Sequence, residues 1–271
     1  LINPLLTPDS PNGRQITWIG HSTLLLTYDQ ITVMTDPIFS DRASPMNFLG
    51  PKRLVKPAIS IQDLPKIDIV IISHNHYDHL DYMSLKRLNK QQPNIKYFVP
   101  LGLKKILSQA GIINIYEFDW WDSIHIGSLT ITSTPVQHWS ARSMFDRNQS
   151  LWSGWMIAWP NFKFYFAGDT GYSKDFIETR KRLGEPDLAA IPIGAYEPRE
   201  FMKFSHLNPE EAVRVYNEIG AKKAIAIHWG TFKLTTELLT EPPKRLKEEL
   251  KRMKIENSSF IVLKHGEKLF L

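Results

Sequence analysis

Ser73-His74-Asn75-His76-Tyr77-Asp78-His79, an H-x-H-x-D-H string, closes the apolar run at residues 67–73. Its imidazoles and carboxylate each need a polar partner that an apolar interior does not supply, so the string is neither helix face nor core. It reads as a loop leaving a strand and carrying metal ligands. On such a loop His74 and His76 can point the same way, while Asp78 and His79 reach a neighbouring position ~3.5 Å away, the separation of two-metal hydrolases.

Three further donors stand just beyond strand-like runs: His138 after residues 129–134, Asp169 after 162–167 and His228 after 224–227. Ligands on loops at strand ends converge at one rim of a sheet. Asp169 can bridge two ions, because a carboxylate has two oxygens. The chain has no cysteine, so disulfides, thiolate metal sites and a cysteine nucleophile are excluded. A nitrogen and oxygen ligand set suits two Zn²⁺, with Fe or Mn as substitutes. His21 and Asp36, also at strand ends, read as hydrogen-bond partners of ligands or as turn residues. His125 and His265 sit in strand-like contexts and receive no role.

The 271 residues are 42% hydrophobic, enough for a sizeable core, and residues 1–271 are expected to form a single domain. No run approaches the ~18 apolar residues of a membrane span, so a soluble chain with peripheral membrane contact at most is expected. The 33 basic and 28 acidic residues form a mixed surface rather than a basic stripe, and no nucleic-acid partner is expected. The chain begins at Leu1 without a basic-then-apolar leader. The native start is therefore expected to have been removed, and a cytoplasmic or peripheral membrane location is expected.

Runs at 15–20, 23–28 and 31–35 read as a strand meander, followed by a loop rich in Pro and Gly at 36–57. Helix periodicity marks 81–90, 101–110 and 244–254, the last with Leu246, Leu250 and Met253 on its packed face. Strands follow at 97–99, 113–118 and 128–134. Asn208-Pro209-Glu210-Glu211 is a helix start with an Asn cap and Glu three residues later. Hairpins mixed with βα units predict an α/β fold of two mixed sheets packed together with outer helices.

Further segments extend the pattern. They include Ile16-Thr17-Trp18-Ile19-Gly20-His21-Ser22-Thr23, Thr35-Asp36-Pro37-Ile38-Phe39-Ser40-Asp41-Arg42, Gly50-Pro51-Lys52-Arg53 and Asp119-Trp120-Trp121. Beyond them come Gln137-His138-Trp139, Gly168-Asp169-Thr170-Gly171, Gly194-Ala195-Tyr196-Glu197-Pro198-Arg199 and His228-Trp229-Gly230-Thr231. With the string, these resemble the metallo-β-lactamase superfamily, whose fold is an αβ/βα sandwich of two mixed sheets with outer helices. Over residues 16–243 the chain is similar, more narrowly, to the N-acylphosphatidylethanolamine-hydrolysing phospholipase D family.

The resemblance implies that His74, His76 and His138 hold one zinc, that Asp78, His79 and His228 hold the other, and that Asp169 bridges them. It also implies His206 as a catalytic residue near the scissile phosphate. Tyr77 and Trp139, next to ligands, join His206 as candidate substrate contacts. The aromatic stretch Trp139, Met144, Phe145, Leu151, Trp152 and Trp155 is a candidate acyl-chain groove, whereas Trp120 and Trp121 read as packing. The implied reaction is hydrolysis of an N-acylphosphatidylethanolamine by a metal-bridging hydroxide, giving phosphatidic acid and an N-acylethanolamine. A phospholipid or other phosphodiester substrate, peripheral membrane contact and a homodimer are the implied partners. Ser205 departs from the Gln of animal members, and their N-terminal extension has no counterpart in the sequence. A lactonase or phosphodiesterase for a soluble substrate, or a silent metal-binding lipid sensor, are the alternatives.

Overall fold

The computed structural model describes residues 1–46 and 48–271; Asn47, in the loop read at 36–57, lies outside them. Contacts divide the chain into two compact units. Unit 1 comprises Leu1–Glu117, Ser140–Leu151 and Leu263–Leu271, and unit 2 comprises Phe118–Trp139 and Trp152–Val262.

The strands are β1 (Gln15–Gly20), β2 (Thr23–Tyr28), β3 (Ile31–Thr35), β4 (Ile69–Ile71), β5 (Lys96–Pro100), β6 (Ile115–Phe118) and β7 (Ser123–Ile126). They continue with β8 (Leu129–Thr134), β9 (Gly154–Trp159), β10 (Phe162–Phe166), β11 (Leu188–Pro192), β12 (Lys223–Ile227), β13 (Phe260–Ile261) and β14 (Lys268–Phe270). The helices are α1 (Tyr82–Gln91), α2 (Lys104–Gln109), α3 (Asp175–Leu183), α4 (Arg199–Met202), α5 (Pro209–Ile219) and α6 (Glu241–Arg252).

One sheet has the order β14-β1-β2-β3-β4-β5-β6 and the other β13-β12-β11-β10-β9-β8-β7. In unit 1 an antiparallel meander, β1 to β3, passes into the parallel β3-β4-β5. Asp29 and Gln30, both at positive φ, supply the two-residue turn between β2 and β3, the geometry that matches strand twist. Asp81 starts α1 by accepting from Met83 N, and Leu85 and Leu88 bury one helix face against Val70, Tyr97 and Val99. In unit 2 the antiparallel β7 to β10 passes into the parallel β10 to β13. The Asn208–Glu211 capping box starts α5, and Gly220 at φ 70 ends it. Its Ala212, Val213 and Ile219 pack with Leu246 and Leu250 of α6 among the buried residues around β11 and β12.

Several elements differ from their sequence reading. The strand expected at 67–73 is ladder-paired only over β4, and the helix expected from 101 begins at Lys104, after Gly102 turns the chain at φ 89. Met253 caps α6 and stays exposed rather than packing. Trp155, a candidate for the acyl groove, is wholly buried in β9, its ring edge on Phe118. A continuous apolar run does not announce which of its aromatics face solvent.

Candidate metal centre

In unit 1, β1, β3 and β4 run in the same direction, so Gly20, Thr35 and Ile71 end at one rim of the sheet. His21, Asp36 and the ligand string leave from that rim. Asp36 is fully buried, and its carboxylate gathers the string: Oδ1 accepts from Ser73 N at 2.7 Å and Oδ2 from Ser73 Oγ at 2.5 Å. The same Oδ2 lies 2.6 Å from His79 Nδ1. A carboxylate there holds the proton on Nδ1 and leaves Nε2 with the lone pair a metal needs. Ser73 Oγ, its hydrogen spent on Asp36, accepts from His74 Nδ1 at 2.8 Å, which fixes the same tautomer on His74.

His74 Nε2 then faces His76 Nδ1 at 2.9 Å, and His79 Nε2 lies 3.3 Å from Asp78 Oδ2. His21, read as a hydrogen-bond partner of a ligand or as a turn residue, sits in the turn between β1 and β2 at φ 55, and its Nε2 lies 2.9 Å from Asp78 Oδ2. Donor atoms of His21, Asp78 and His79 lie within 4.8 Å of one another. Imidazole nitrogens and carboxylate oxygens crowded where little water enters are a set of converging lone pairs, and a cation fits that set.

In unit 2, β8, β10 and β12 also share a direction, and Thr134, Phe166 and Ile227 end at one rim. The connections beyond them carry His138, Asp169 and His228, as the strand-end pattern predicts. Asp169 Oδ2 is the hub, 3.1 Å from His228 Nε2, 3.9 Å from His138 Nε2 and 3.8 Å from His206 Nδ1. His138 Nδ1 donates to Ser205 O at 2.9 Å, which again leaves the free lone pair on Nε2. The residue at 205 therefore acts through its main chain, and the Gln-to-Ser departure leaves that contact intact. His228 adopts φ 60, and a Cβ on Gly194 would lie 2.0 Å from His228 O, so only glycine lets that backbone close in.

The structure places His206 inside this cluster, with ring centroids 5.2 Å from His138 and 5.5 Å from His228. Trp139 is half-buried, its ring centroid 6.3 Å from that of His138. Tyr77, also half-buried, lines a cavity of about 450 Å³ in unit 1 with Arg42, Met46, Met83 and Arg142. Of the histidines without a predicted role, His125 is exposed beside Thr130, and His265 is buried against Trp18. Sequence reading misses Ser73, the Ser205 carbonyl and Arg142 as supports of the site. A main-chain acceptor has no letter in the sequence, and a loop arginine looks like any surface cation.

Two mixed sheets with helices, bearing rim clusters of buried nitrogen and oxygen donors, define a metal-dependent hydrolase of the metallo-β-lactamase fold class. Residues 32–229 match the β-lactamase superfamily domain. The chain is 44% identical over 270 residues to N-acyl-phosphatidylethanolamine-hydrolyzing phospholipase D 1 of Caenorhabditis elegans, covering 95% of this chain and 76% of that protein. It is 37% identical over 237 residues to the mitochondrial N-acyl-phosphatidylethanolamine-hydrolyzing phospholipase D of Saccharomyces cerevisiae, covering 85% of this chain and 50% of that protein. Among solved structures, the isothiocyanate hydrolase from Delia radicum gut bacteria shares the fold, with a TM-score of 0.74 at 20% identity, covering 95% of this chain and 99% of that one. The chain belongs to the N-acylphosphatidylethanolamine-hydrolysing phospholipase D family of the β-lactamase superfamily.

Proposed function

We propose that the protein is a zinc-dependent phosphodiesterase of phospholipase D type, hydrolysing N-acylphosphatidylethanolamine-like phospholipids to phosphatidic acid and N-acylethanolamine. The 44% identity to the worm enzyme across 95% of the chain carries this reading. His74, His76 and His138 would hold one zinc, Asp78, His79 and His228 the other, and Asp169 would bridge. When bound, the ions supply Lewis acidity, lowering the pKa of water and neutralising charge on the phosphoryl oxygens. Asp36, Ser73 and the Ser205 carbonyl keep the Nδ1 protons of His79, His74 and His138 in place, so each ring presents Nε2. His206 gives a proton to the departing alkoxide oxygen, a role its place beside Asp169 supports.

Exposed apolar side chains support contact with a lipid surface. In unit 1, Phe48, Met144 and Phe145 are 73%, 90% and 85% exposed, and in unit 2 Phe201 and Phe204, just before His206, are 76% and 63% exposed. Among the described residues no helix is long and apolar enough to cross a membrane.

The test is one pure sample assayed on N-acylphosphatidylethanolamine micelles, an acyl lactone and bis(p-nitrophenyl) phosphate, before and after chelation and zinc return. Turnover of the phospholipid that a chelator abolishes and zinc restores is expected. Turnover confined to the lactone or to the soluble diester would replace the phospholipid reading.

A further inference from the structure

Arg142 is not among the metal donors, yet it closes on the ligand string from outside. Its Nη1 donates to Asn75 O at 2.7 Å and to Leu80 O at 2.8 Å, the carbonyls at either end of the segment that carries His76, Asp78 and His79. In return Tyr77 Oη donates to Arg142 O at 2.8 Å, and the guanidinium carbon lies 3.9 Å from the Tyr77 ring centroid. Between the two carbonyls the segment is one tight turn, with His79 N and Leu80 N both donating to His76 O. The arginine is itself held, because the Asp146 carboxylate accepts from Arg142 N at 3.0 Å and from Ser143 N at 2.7 Å.

These contacts form a clasp with little slack. One planar nitrogen ties together carbonyls five residues apart in sequence, and the face of the same group rests on the ring between them. Charge-assisted bonds to buried carbonyls are roughly twice as strong as neutral ones. A lysine ammonium can reach the carbonyls but cannot stack as a plane on Tyr77, and it is harder to strip of water. Burial lowers the Arg142 pKa below its ordinary value, but guanidinium remains charged.

We propose that Arg142 is a positioning residue for the metal donors His76, Asp78 and His79, fixing the span of their loop and thereby the affinity for metal, without touching substrate. The proposal rests on reading those three residues as ligands, and it does not depend on the substrate. Its test is therefore scored on zinc affinity, so that failure of the phospholipid reading stays distinguishable from failure of the clasp.

The full chain is compared with Arg142→Gln, Arg142→Lys and Tyr77→Phe by chelator competition for zinc, by melting of the metal-free forms, and by kcat and KM at limiting and saturating zinc. Arg142→Gln is expected to weaken zinc binding about 10- to 100-fold, the usual effect of losing a group that orients ligands. Arg142→Lys recovers part of that loss, as does millimolar guanidinium added to Arg142→Gln. Tyr77→Phe weakens binding about fivefold, the worth of one hydrogen bond. The kcat of the two Arg142 variants falls at limiting zinc and returns at saturating zinc, whereas Tyr77→Phe is scored on zinc affinity alone. If Arg142→Gln does not fold, Tyr77→Phe and Arg142→Lys carry the test.

Zinc affinity equal to that of the unaltered chain overturns the proposal in either of two forms. If KM rises instead, Arg142 contacts substrate. If only melting of the metal-free form falls, the arginine supports the fold in general.

Discussion

In unit 1 the donors His74, His76, Asp78 and His79 come from one short loop gathered by Asp36 and Ser73, whereas in unit 2 His138, Asp169, His206 and His228 come from four separate connections meeting around Asp169 Oδ2. The first cluster is secured by buried hydrogen bonds to one loop, from Ser73 within it and from Asp36 at the neighbouring strand end. The second is secured by strand register, because β8, β10 and β12 must all end at one rim before its donors can meet. Donors carried on one loop should respond to loss of an anchoring side chain, and donors gathered by register to a disturbed backbone.

The largest test removes the hub of the dispersed cluster. Asp169→Asn keeps the side chain's shape but gives up its charge, and turnover should fall by about 10²- to 10³-fold or more, the scale of losing a main electrostatic group. Melting of the metal-free protein should change little, since Asp169 lies on a connection beyond β10. Near-normal turnover with a full metal complement would remove Asp169 from the centre.

Asp36→Asn probes the loop cluster. The amide cannot serve Ser73 N, Ser73 Oγ and His79 Nδ1 together, and zinc affinity should weaken about 10- to 100-fold by chelator competition. Unchanged affinity would mean that the loop holds its ligands without its carboxylate anchor.

Gly194→Ala tests the dispersed cluster through its backbone. The new Cβ would press on His228 O, and a shift to relieve that clash should cost about 1–3 kcal/mol, read as a lower melting temperature together with weaker zinc binding. An unaltered melt would show that the connection after β12 yields freely, against the argument from register.

The smallest effect separates the core from both clusters. Burial, reinforced by neighbouring positive charge, pushes the His265 pKa down to about 4 from 6.5. The unfolded chain therefore takes up this proton at a higher pH than the folded one, so stability is complete above about pH 6.5 and is lost as pH falls toward 4. For a residue this buried the loss is at most about 3 kcal/mol. His265→Gln should flatten that part of a stability-against-pH curve measured on metal-free protein, and a curve unchanged by the substitution would place the acid sensitivity elsewhere.

The two clusters also differ in how much of them the residues disclose. The loop cluster can be read directly, because imidazoles and a carboxylate packed into so short a stretch are incompatible with a core strand or an amphipathic helix. His138, Asp169 and His228 are individually ordinary, and become visible only through their shared position after strand-like runs. His206 precedes a helix cap and becomes a candidate only by resemblance. Ser205 illustrates the limit: its side chain looks like a departure from the family, while its carbonyl does the orienting. Trp155 illustrates another, since an aromatic near a ligand in sequence can belong to the interior.

Residue order alone determined that this chain has nitrogen and oxygen donors at strand ends, that sulfur ligands are absent, and that sheets and helices alternate. These follow from side-chain chemistry and from periodicities of two and 3.6, which are local properties. Only the tertiary structure decided which nitrogen of His74, His79 and His138 is tied down, that Asp169 is a hub, and that Arg142 clasps the histidine-bearing loop. Such choices depend on distances between groups remote in sequence, and these are set by strand register and by buried hydrogen bonds that no local pattern encodes.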